Sequence, residues 1–269
     1  MSRHALIAKL EAAGRGAHRS GPDKEQARAF VEELFSYLFS YEQDPARSAL
    51  ESGYDVLLHD LDALLPLQHR REAGRFFDAL PYLYDALLDD AAAILNSDPA
   101  ARSLEEVLTS YPGFFATYVH RIAHQVWKQE CHLLARIFAE HAHGRTGIDI
   151  HPAALIGSAF AIDHGTGIVI GETTVIGNRV KIYQGVTLGA LQVSKEAARA
   201  KRHPTIGDDV VIYAGATILG GDTLVGDGSI IGGNVWLTYS VPPNSVVYHK
   251  SEVHIKSQDP FPEPINFII

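Results

Sequence analysis

The sequence is poor in the features that mark several classes of protein. Its 269 residues include a single cysteine, Cys131, so no intramolecular disulfide can form and a reducing compartment is expected. No apolar run approaches the roughly 18 residues that a membrane span needs. The first residues lack the apolar core of a secretory signal, and the net charge of -9 argues against a nucleic-acid partner. We therefore expect a cytoplasmic protein with no membrane and no nucleic acid among its partners.

The C-terminal half carries an aliphatic residue at every sixth position. Ile170, Ile176, Ile182 and Leu188 show this period most clearly. A period of six fits neither a helix nor a plain strand. It is typical of the hexapeptide β-helix, in which three hexads close one triangular coil and stacked coils bury a continuous aliphatic core. The other members of the series are Ile150, Ile156, Ile162, Ile206, Ile212, Ile218, Val225, Ile231 and Leu237.

The period is interrupted at three places. It slips between Ile162 and Ile170 and again between Ile218 and Val225, and each slip predicts a bulge or an enlarged corner. Residues 189–205 offer no aliphatic residue at the expected positions, so we predict a loop that leaves the β-helix there. A β-sandwich is the alternative, but its strands alternate at a period of 2 with turns roughly 8 to 12 residues apart.

The N-terminal half has helical periodicity. Apolar residues recur at i, i+3 and i+4, which predicts an all-α domain of at least four helices over residues 23–145, after a flexible, frayed tail at 1–22. Pro81 is expected to kink or split one helix. The helical pattern covers residues 23–40, 48–64, 73–95 and 114–141.

The C-terminal boundary is marked by prolines. Pro242 and Pro243 cannot continue a hydrogen-bonded ladder and mark the end region of the β-helix, which is expected to occupy residues 146–250. Residues 251–269 are proline-rich and end on apolar side chains, which is typical of a docking tail. A capping strand on the open end of the β-helix is the alternative.

Four motifs resemble those of the serine acetyltransferase family. The resemblance implies an all-α N-terminal domain followed by a left-handed parallel β-helix. It also implies a homotrimer with active sites between neighbouring prisms, often paired into hexamers through the helical domains. The motifs are Asp149–Pro152, Asp163–Gly167, Gly171–Thr187 and Arg202–Pro204.

The implied reaction transfers an acetyl group from acetyl-CoA, the co-substrate, to the hydroxyl of L-serine, the first step of cysteine biosynthesis. A serine hydroxyl is a poor nucleophile at neutral pH and needs a general base. Histidine suits this role because its ordinary pKa is about 6.5. By resemblance His164 is the base, and Asp149 is the carboxylate that orients its ring.

The resemblance also assigns the groups that hold the two substrates. Arg202 takes the serine carboxylate, Asp163 and Asp98 meet its ammonium, and His203 helps to hold and polarise it. The remaining assignments concern the acetyl-CoA groove, which backbone at Gly189, Ala214 and Gly233 is expected to line. Of the basic loop residues, Lys195 or Lys201 could meet the CoA phosphates.

Two further properties are implied by resemblance. The terminal Ile269 docks into O-acetylserine sulfhydrylase, and L-cysteine inhibits by competing at the serine site. One departure from the family pattern concerns CoA: the Ala-Gly-x-Pro-Ala-Arg type of segment that many members carry after the double proline is replaced by residues 244–250. How the last coil contributes to CoA binding is therefore open.

Three other functions are compatible with parts of this sequence. The chain could acylate another small alcohol, such as a sugar or homoserine, or could be a non-catalytic scaffold of the sulfhydrylase complex. His141, His143 and His151 suggest a zinc site of the β-helix carbonic anhydrase type. No carboxylate completes an evident ligand set with these histidines, so no metal is expected.

Overall fold

The computed structural model of the chain describes residues 3–14, 21–39, 45–191 and 200–250. Helices occupy the N-terminal half of these residues, and short parallel strands occupy the remainder. The α-helices are α1 (Arg3–Gly14), α2 (Lys24–Phe39), α3 (Arg47–Leu64), α4 (Arg71–Ser97), α5 (Leu104–Ser110), α6 (Pro112–Lys128) and α7 (His132–Thr146), with a 3-10 turn at Leu67–His69.

Two sequence-based expectations about the helices are wrong. The predicted frayed tail contains α1, a stretch rich in the strong helix formers Ala, Leu and Lys, although Leu6 and Leu10 are exposed. The segment expected to be helical from Phe114 to His141 is divided between α6 and α7. The division occurs where Glu130 adopts a left-handed backbone, a break that no proline or glycine announces. Pro81 lies inside a single continuous helix, α4.

An aromatic cluster forms the core of the helical part. The Phe30 and Phe138 rings stack with centroids 5.7 Å apart, and Phe76 meets Phe30 edge-on. Tyr118 is fully buried, and its hydroxyl donates to the carbonyl of Val31 at 2.9 Å, so its polar end is satisfied. These contacts join α2, α4, α6 and α7 into one packed unit.

The strands form a left-handed parallel β-helix with three faces. Each coil contributes one strand to each face in turn. Face A contains β1 (Asp149–Ile150), β4 (Val169–Ile170), β7 (Thr187–Gly189), β10 (Thr217–Leu219) and β13 (Trp236–Leu237). Face B contains β2 (Leu155–Ile156), β5 (Val175–Ile176), β8 (Thr205–Ile206) and β11 (Leu224–Val225). Face C contains β3 (Ala161–Asp163), β6 (Lys181–Tyr183), β9 (Val211–Ile212), β12 (Ile230–Ile231) and β14 (Val246–Val247).

The aliphatic series of the sequence forms the core of this prism. On face A, Ile170 pairs with Ile150 and Leu188, and Ile218 continues the column to Leu237. Faces B and C carry equivalent columns. Every member of the series except the partly buried Ile156 is buried, which confirms the hexapeptide interpretation.

Both predicted slips fall at corners with left-handed backbone. The first lies between faces C and A, where His164, Gly165 and Gly167 all have positive φ. The second lies between faces A and B at Gly220, with φ of 106°. We call these edges of the prism the C–A corner (residues 164–168, 184–186, 213–216 and 232–235) and the A–B corner (residues 151–154, 171–174, 190–191, 200–204 and 220–223). Strand β7 belongs to face A and β8 to face B, so both described ends of the segment between them lie at the A–B corner. The interior of the predicted loop 189–205 lies outside the described residues.

A buried ion pair fastens the helical part to the prism. The Arg121 guanidinium of α6 binds both carboxylate oxygens of Asp90 on α4, and Asp90 is completely buried. The same guanidinium donates to the carbonyl of Gly157 at 2.8 Å, and the Phe160 N–H donates to Asp90 at 2.9 Å. Every contact of this pair therefore crosses from helix to helix or from helix to coil.

None of the helices in the described ranges is both long enough and apolar enough to traverse a lipid bilayer.

Candidate active site

Five of the predicted site residues lie in two clusters at different edges of the prism. The carboxylate cluster, on face C next to the C–A corner, consists of Asp98, Tyr111, Asp163, His164 and Lys181. The arginine cluster at the A–B corner consists of His151, Glu172, Thr173, Arg202 and His203. Tyr111, Glu172, Thr173 and Lys181 are members that sequence reasoning missed. Face A separates the two clusters.

Asp98 follows α4 directly, and both of its carboxylate oxygens are engaged. One accepts from the Ala100 N–H at 2.8 Å, and the other accepts from the Tyr111 hydroxyl at 2.8 Å. These hydrogen bonds, that of Ala100 first, hold the pKa of Asp98 below its ordinary value. The bond to Asp98 raises the pKa of Tyr111 to about 12. Asp98 is thus both a turn residue and a fixed anion facing the prism.

Asp163 ends strand β3 and faces the same narrow cleft as Asp98 and Tyr111. Its Oδ2 lies 2.9 Å from the Lys181 ammonium, and its Oδ1 lies 3.6 Å from Nε2 of His164. Only 13% of the Asp163 side chain is exposed. The two acids that the resemblance assigns to the substrate ammonium therefore line one cleft, although one comes from a helix end and the other from a coil.

His164 lies on the enlarged C–A corner, with φ of 57° and 75% of its side chain exposed. A left-handed backbone is uncommon for a residue with a side chain, and it turns this imidazole outward. Gly165 follows at φ of 100°, in a position where an added Cβ would lie 2.5 Å from Ile148. The corner therefore needs glycine, and its tight packing fixes the backbone that carries the imidazole.

Asp149 and His164 are neighbours that do not touch. Asp149 begins β1 and aligns with Val169, and the corner that carries His164 runs directly into Val169. The Gly167 N–H also donates to the carbonyl of Gly147 at 2.8 Å, which holds this corner against the chain just before Asp149. Across the residues that the structure describes, however, no hydrogen bond or ion pair joins Asp149 to His164.

His203 is buried in the arginine cluster in its neutral form. Its Nδ1 accepts from the Thr173 backbone N–H at 3.1 Å and lies 2.9 Å from the Thr173 hydroxyl. An accepting Nδ1 assigns the ring proton to Nε2. Burial, helped by the Arg202 charge, lowers the pKa of His203 to about 4. The ring packs so tightly on Gly171 that an added Cβ there would lie 2.0 Å from it.

Arg202 is held by an acid from the preceding coil. Its guanidinium binds the Glu172 carboxylate, and its side chain is 19% exposed. Burial on its own would raise the pKa of Glu172, but the hydrogen bond from Arg202 lowers it below its ordinary value. The backbone N–H groups of Arg202 and His203 both donate to the Thr173 hydroxyl, at 2.9 and 3.1 Å. Glu172 and Thr173 thus position the two residues that the motif predicted.

The three backbone positions expected at the acetyl-CoA groove also lie at different corners. Ala214 and Gly233 are adjacent at the C–A corner, where an added Cβ on Gly233 would lie 3.2 Å from the Ala214 carbonyl. Gly189 ends β7 at the A–B corner. Lys201 is engaged by protein, because its ammonium donates to the carbonyls of Thr173 and Pro204 at 2.7 and 3.1 Å. The predicted residues Lys195 and Ile269 lie outside the described residues.

The three histidines considered for zinc have different neighbours. His141 contacts Glu32 at 2.7 Å, His143 lies 3.5 Å from Glu140, and Nδ1 of His151 accepts from the Ala153 N–H at 3.1 Å. They do not converge on one point. In the part of the chain that the structure describes, no three His, Cys, Asp or Glu residues are grouped as metal ligands.

Comparison with known proteins gives a consistent result. No family model matches the chain. The plasmid serine acetyltransferase of Synechococcus elongatus is 53% identical over 198 residues, which is 71% of this chain and 61% of that relative's own length. The Bacillus subtilis serine acetyltransferase is 48% identical over 161 residues, 60% of this chain and 72% of the relative.

Solved structures agree with the sequence relatives. The crystal structure of Entamoeba histolytica serine acetyltransferase 1 in complex with L-cysteine superposes with a TM-score of 0.75 at 35% identity, covering 85% of this chain and 87% of that one. The Neisseria gonorrhoeae serine acetyltransferase gives a TM-score of 0.64 at 30% identity, covering 84% and 78%.

Proposed function

This chain belongs to the serine acetyltransferase family, and we propose that it transfers the acetyl group of acetyl-CoA to the hydroxyl of L-serine. One observation carries the proposal. Two acids, Asp98 and Asp163, line one narrow crevice, and Nε2 of the exposed His164 imidazole lies 3.6 Å from Asp163. Acids that can bind an ammonium therefore lie next to a base that can take the proton of a nearby hydroxyl.

The chemistry follows from this arrangement. His164 takes the proton of the serine hydroxyl as its oxygen attacks the thioester carbonyl. The new bond joins that oxygen to the acetyl carbon, the bond to sulfur breaks, and the proton passes to the departing thiolate. Rotation of the exposed His164 side chain toward the neighbouring Asp149 would orient the ring and stabilise the imidazolium.

We further propose that the complete site forms between two copies of the chain. Serine is only a few bonds long, whereas the carboxylate cluster and the arginine cluster lie at opposite edges of face A. Packing the C–A corner of one prism against the A–B corner of the next would bring Arg202 and His203 to the substrate carboxylate. A homotrimer has three such sites, and pairing through the helices would give a hexamer.

This assembly can be tested by complementation. His164→Ala and Arg202→Ala are each expected to be inactive as pure proteins. Mixed after dissociation and reassembly, they should regain a fraction of wild-type activity, because some sites receive both intact clusters. No recovery in hybrid trimers, isolated through different affinity tags on the two variants, would place the whole site within one chain.

Acetyl-CoA is expected to lie along the C–A corner above His164. Ala214 and Gly233 are on this corner, and the absence of a side chain at Gly233 leaves backbone accessible to a ligand. Gly189 of the adjoining prism would complete the groove. Acetyl-CoA acts here as a co-substrate, and the proposed proton transfers involve only side chains of this chain and the substrates.

The decisive assay measures thiol release from acetyl-CoA with L-serine, L-homoserine, phosphoserine and simple sugars as acceptors, each with and without L-cysteine. Release that depends on serine supports the proposal. Release with another acceptor would keep the acyltransferase and replace the substrate, while release with none would favour a non-catalytic scaffold.

Two regulatory contacts are proposed on the same basis. L-Cysteine carries the ammonium and carboxylate of serine, so we expect it to compete at the same clusters; relatives from Entamoeba histolytica have been crystallised with cysteine. The terminal Ile269 is proposed to dock into O-acetylserine sulfhydrylase. Deleting it should abolish co-sedimentation with that enzyme while acetyl transfer persists, and unchanged binding would contradict the docking role.

A further inference from the structure

Lys181 lies where the helical part meets the prism, and its ammonium contacts both. It donates to the carbonyl of Ser97, the last residue of α4, at 2.8 Å, and lies 2.9 Å from Oδ2 of Asp163. It also lies 4.7 Å from the centre of the Tyr183 ring. Only 12% of its side chain is exposed, which is unusual for a lysine.

Each of these contacts has a physical reason. The carbonyl of Ser97 lies at the negative end of α4, where a cation is favoured. Burial on its own would lower the pKa of Lys181, but hydrogen bonds to Asp163 and Tyr183 raise it, so the side chain remains a cation. A buried cation bonded to two elements holds them in register.

The charged groups that line the cleft leave one negative charge without a counter-charge. Asp98 and Asp163 contribute two negative charges and Lys181 contributes one positive charge, so the cleft has a net charge of about −1 when these groups are ionised. One substrate ammonium would neutralise it. Without the lysine, the two carboxylates would face one cleft with no cation between them and would repel each other.

We propose that Lys181 is a positioning residue that fixes Asp163 against the end of α4 carrying Asp98, so that the two carboxylates are held together to bind the ammonium of an α-amino acid. This inference rests on the proposed function and adds a residue that determines acceptor specificity. Lys181 acts through Asp163 and the α4 terminus, and it does not itself contact the reacting atoms.

The test compares Lys181→Met, which removes the charge at similar length, with Lys181→Arg, which keeps a cation. Lys24→Met, at an exposed position that begins α2, is the matched control. Steady-state kinetics are measured with L-serine and with 3-hydroxypropionate, which is serine without its ammonium. If Lys181→Met does not fold, Lys181→Gln retains a donor for the Ser97 carbonyl without the charge.

For Lys181→Met we expect the KM for serine to rise roughly 10- to 100-fold, the scale of one lost charge-assisted contact. The KM for acetyl-CoA should change less than about twofold, because the acetyl-CoA groove does not include this lysine. The preference for serine over 3-hydroxypropionate should fall by about the same factor as the serine KM rises. Lys181→Arg should recover most of that preference, and Lys24→Met should behave as wild type.

Two results would overturn the inference. An unchanged or lower KM for serine in Lys181→Met would show that the cleft needs no cation. Equal losses with both acceptors would reduce Lys181 to a structural role. A wild-type protein that releases no thiol with serine would instead refute the proposed function, so the two failures are distinguishable.

Discussion

Removing the carboxylate of Asp90 should destabilise the protein more than removing any surface charge. Asp90→Ala leaves the guanidinium of Arg121 partly buried without a counter-charge, which costs about 3–5 kcal/mol. It also removes the acceptor of the Phe160 N–H, and an unsatisfied buried donor costs about 1–3 kcal/mol. Partial relaxation reduces the sum, so we expect the free energy of unfolding to fall by about 4–6 kcal/mol.

Urea unfolding and thermal unfolding are both monitored by circular dichroism. All variants are measured at one protein concentration, because assembly would shift the apparent stability. At roughly 2–4 °C for each kcal/mol, the melting temperature should fall by roughly 10–20 °C. The control is Asp62→Ala, which removes an exposed ion pair with Arg70 at 3.9 Å. That change should cost less than about 1 kcal/mol.

A double-mutant cycle separates the ion pair from packing. Arg121→Met keeps much of the apolar stem of the arginine. The double variant, Asp90→Ala with Arg121→Met, lacks both charges of the pair, so neither charge is left buried without its partner. The double variant should therefore be less destabilised than the sum of the single variants by about 2–3 kcal/mol. A loss below about 1 kcal/mol in Asp90→Ala, or additive losses in the double variant, would refute the reasoning.

Three other perturbations address the site. His164→Ala should lower kcat by about two orders of magnitude or more at unchanged melting temperature, and an active variant would remove this residue from the mechanism. Gly171→Ala places a Cβ 2.0 Å from the His203 ring, so kcat/KM for serine should fall at least about tenfold; Gly74→Ala, in an open position of α4, should instead stabilise by about 0.5–1 kcal/mol. Burial lowers the pKa of His203 to about 4, so between pH 6.5 and 4 the unfolded chain binds the proton that the folded chain does not. The free energy of unfolding should therefore decrease as the pH is lowered, by up to about 2 kcal/mol from this residue between pH 7 and 5. In urea titrations, His203→Asn should make the free energy of unfolding less dependent on pH over this range.

The prism was predictable because its signal is periodic and local. Each hexad carries its own aliphatic residue, so the series from Ile150 to Leu237 could be read without knowing which strands pair. The helix break at Glu130 was not predictable, because no local residue signals it and packing of α7 on α6 decides it. The helix α1 was missed because helix prediction relied on amphipathic periodicity. Its propensity is good, but no amphipathic pattern marks it.

The sequence could suggest candidate site residues only where a motif carried them. Asp163 and His164 lie in one short motif, whereas Lys181 belongs to the next coil, where it aligns with Ala161 and its long side chain reaches the Asp163 carboxylate. Without that register, a lysine on an outward position is read as a surface charge. Glu172 illustrates the same limit. It lies 30 residues before its partner Arg202, and only the stacking of coils brings the two together.

The positions of the two strands that flank the segment between β7 and β8 bear on how such a protein can diverge. Leu188 and Ile206, on either side of this segment, keep their places in the core columns of faces A and B. Each doubling of a flexible loop costs only about 0.6 kcal/mol of closure entropy. Mutation can therefore lengthen or rewrite this segment while the prism stays intact. Arg202 and His203 lie where the segment returns, so descendants of this chain could acquire new acceptors with little loss of stability.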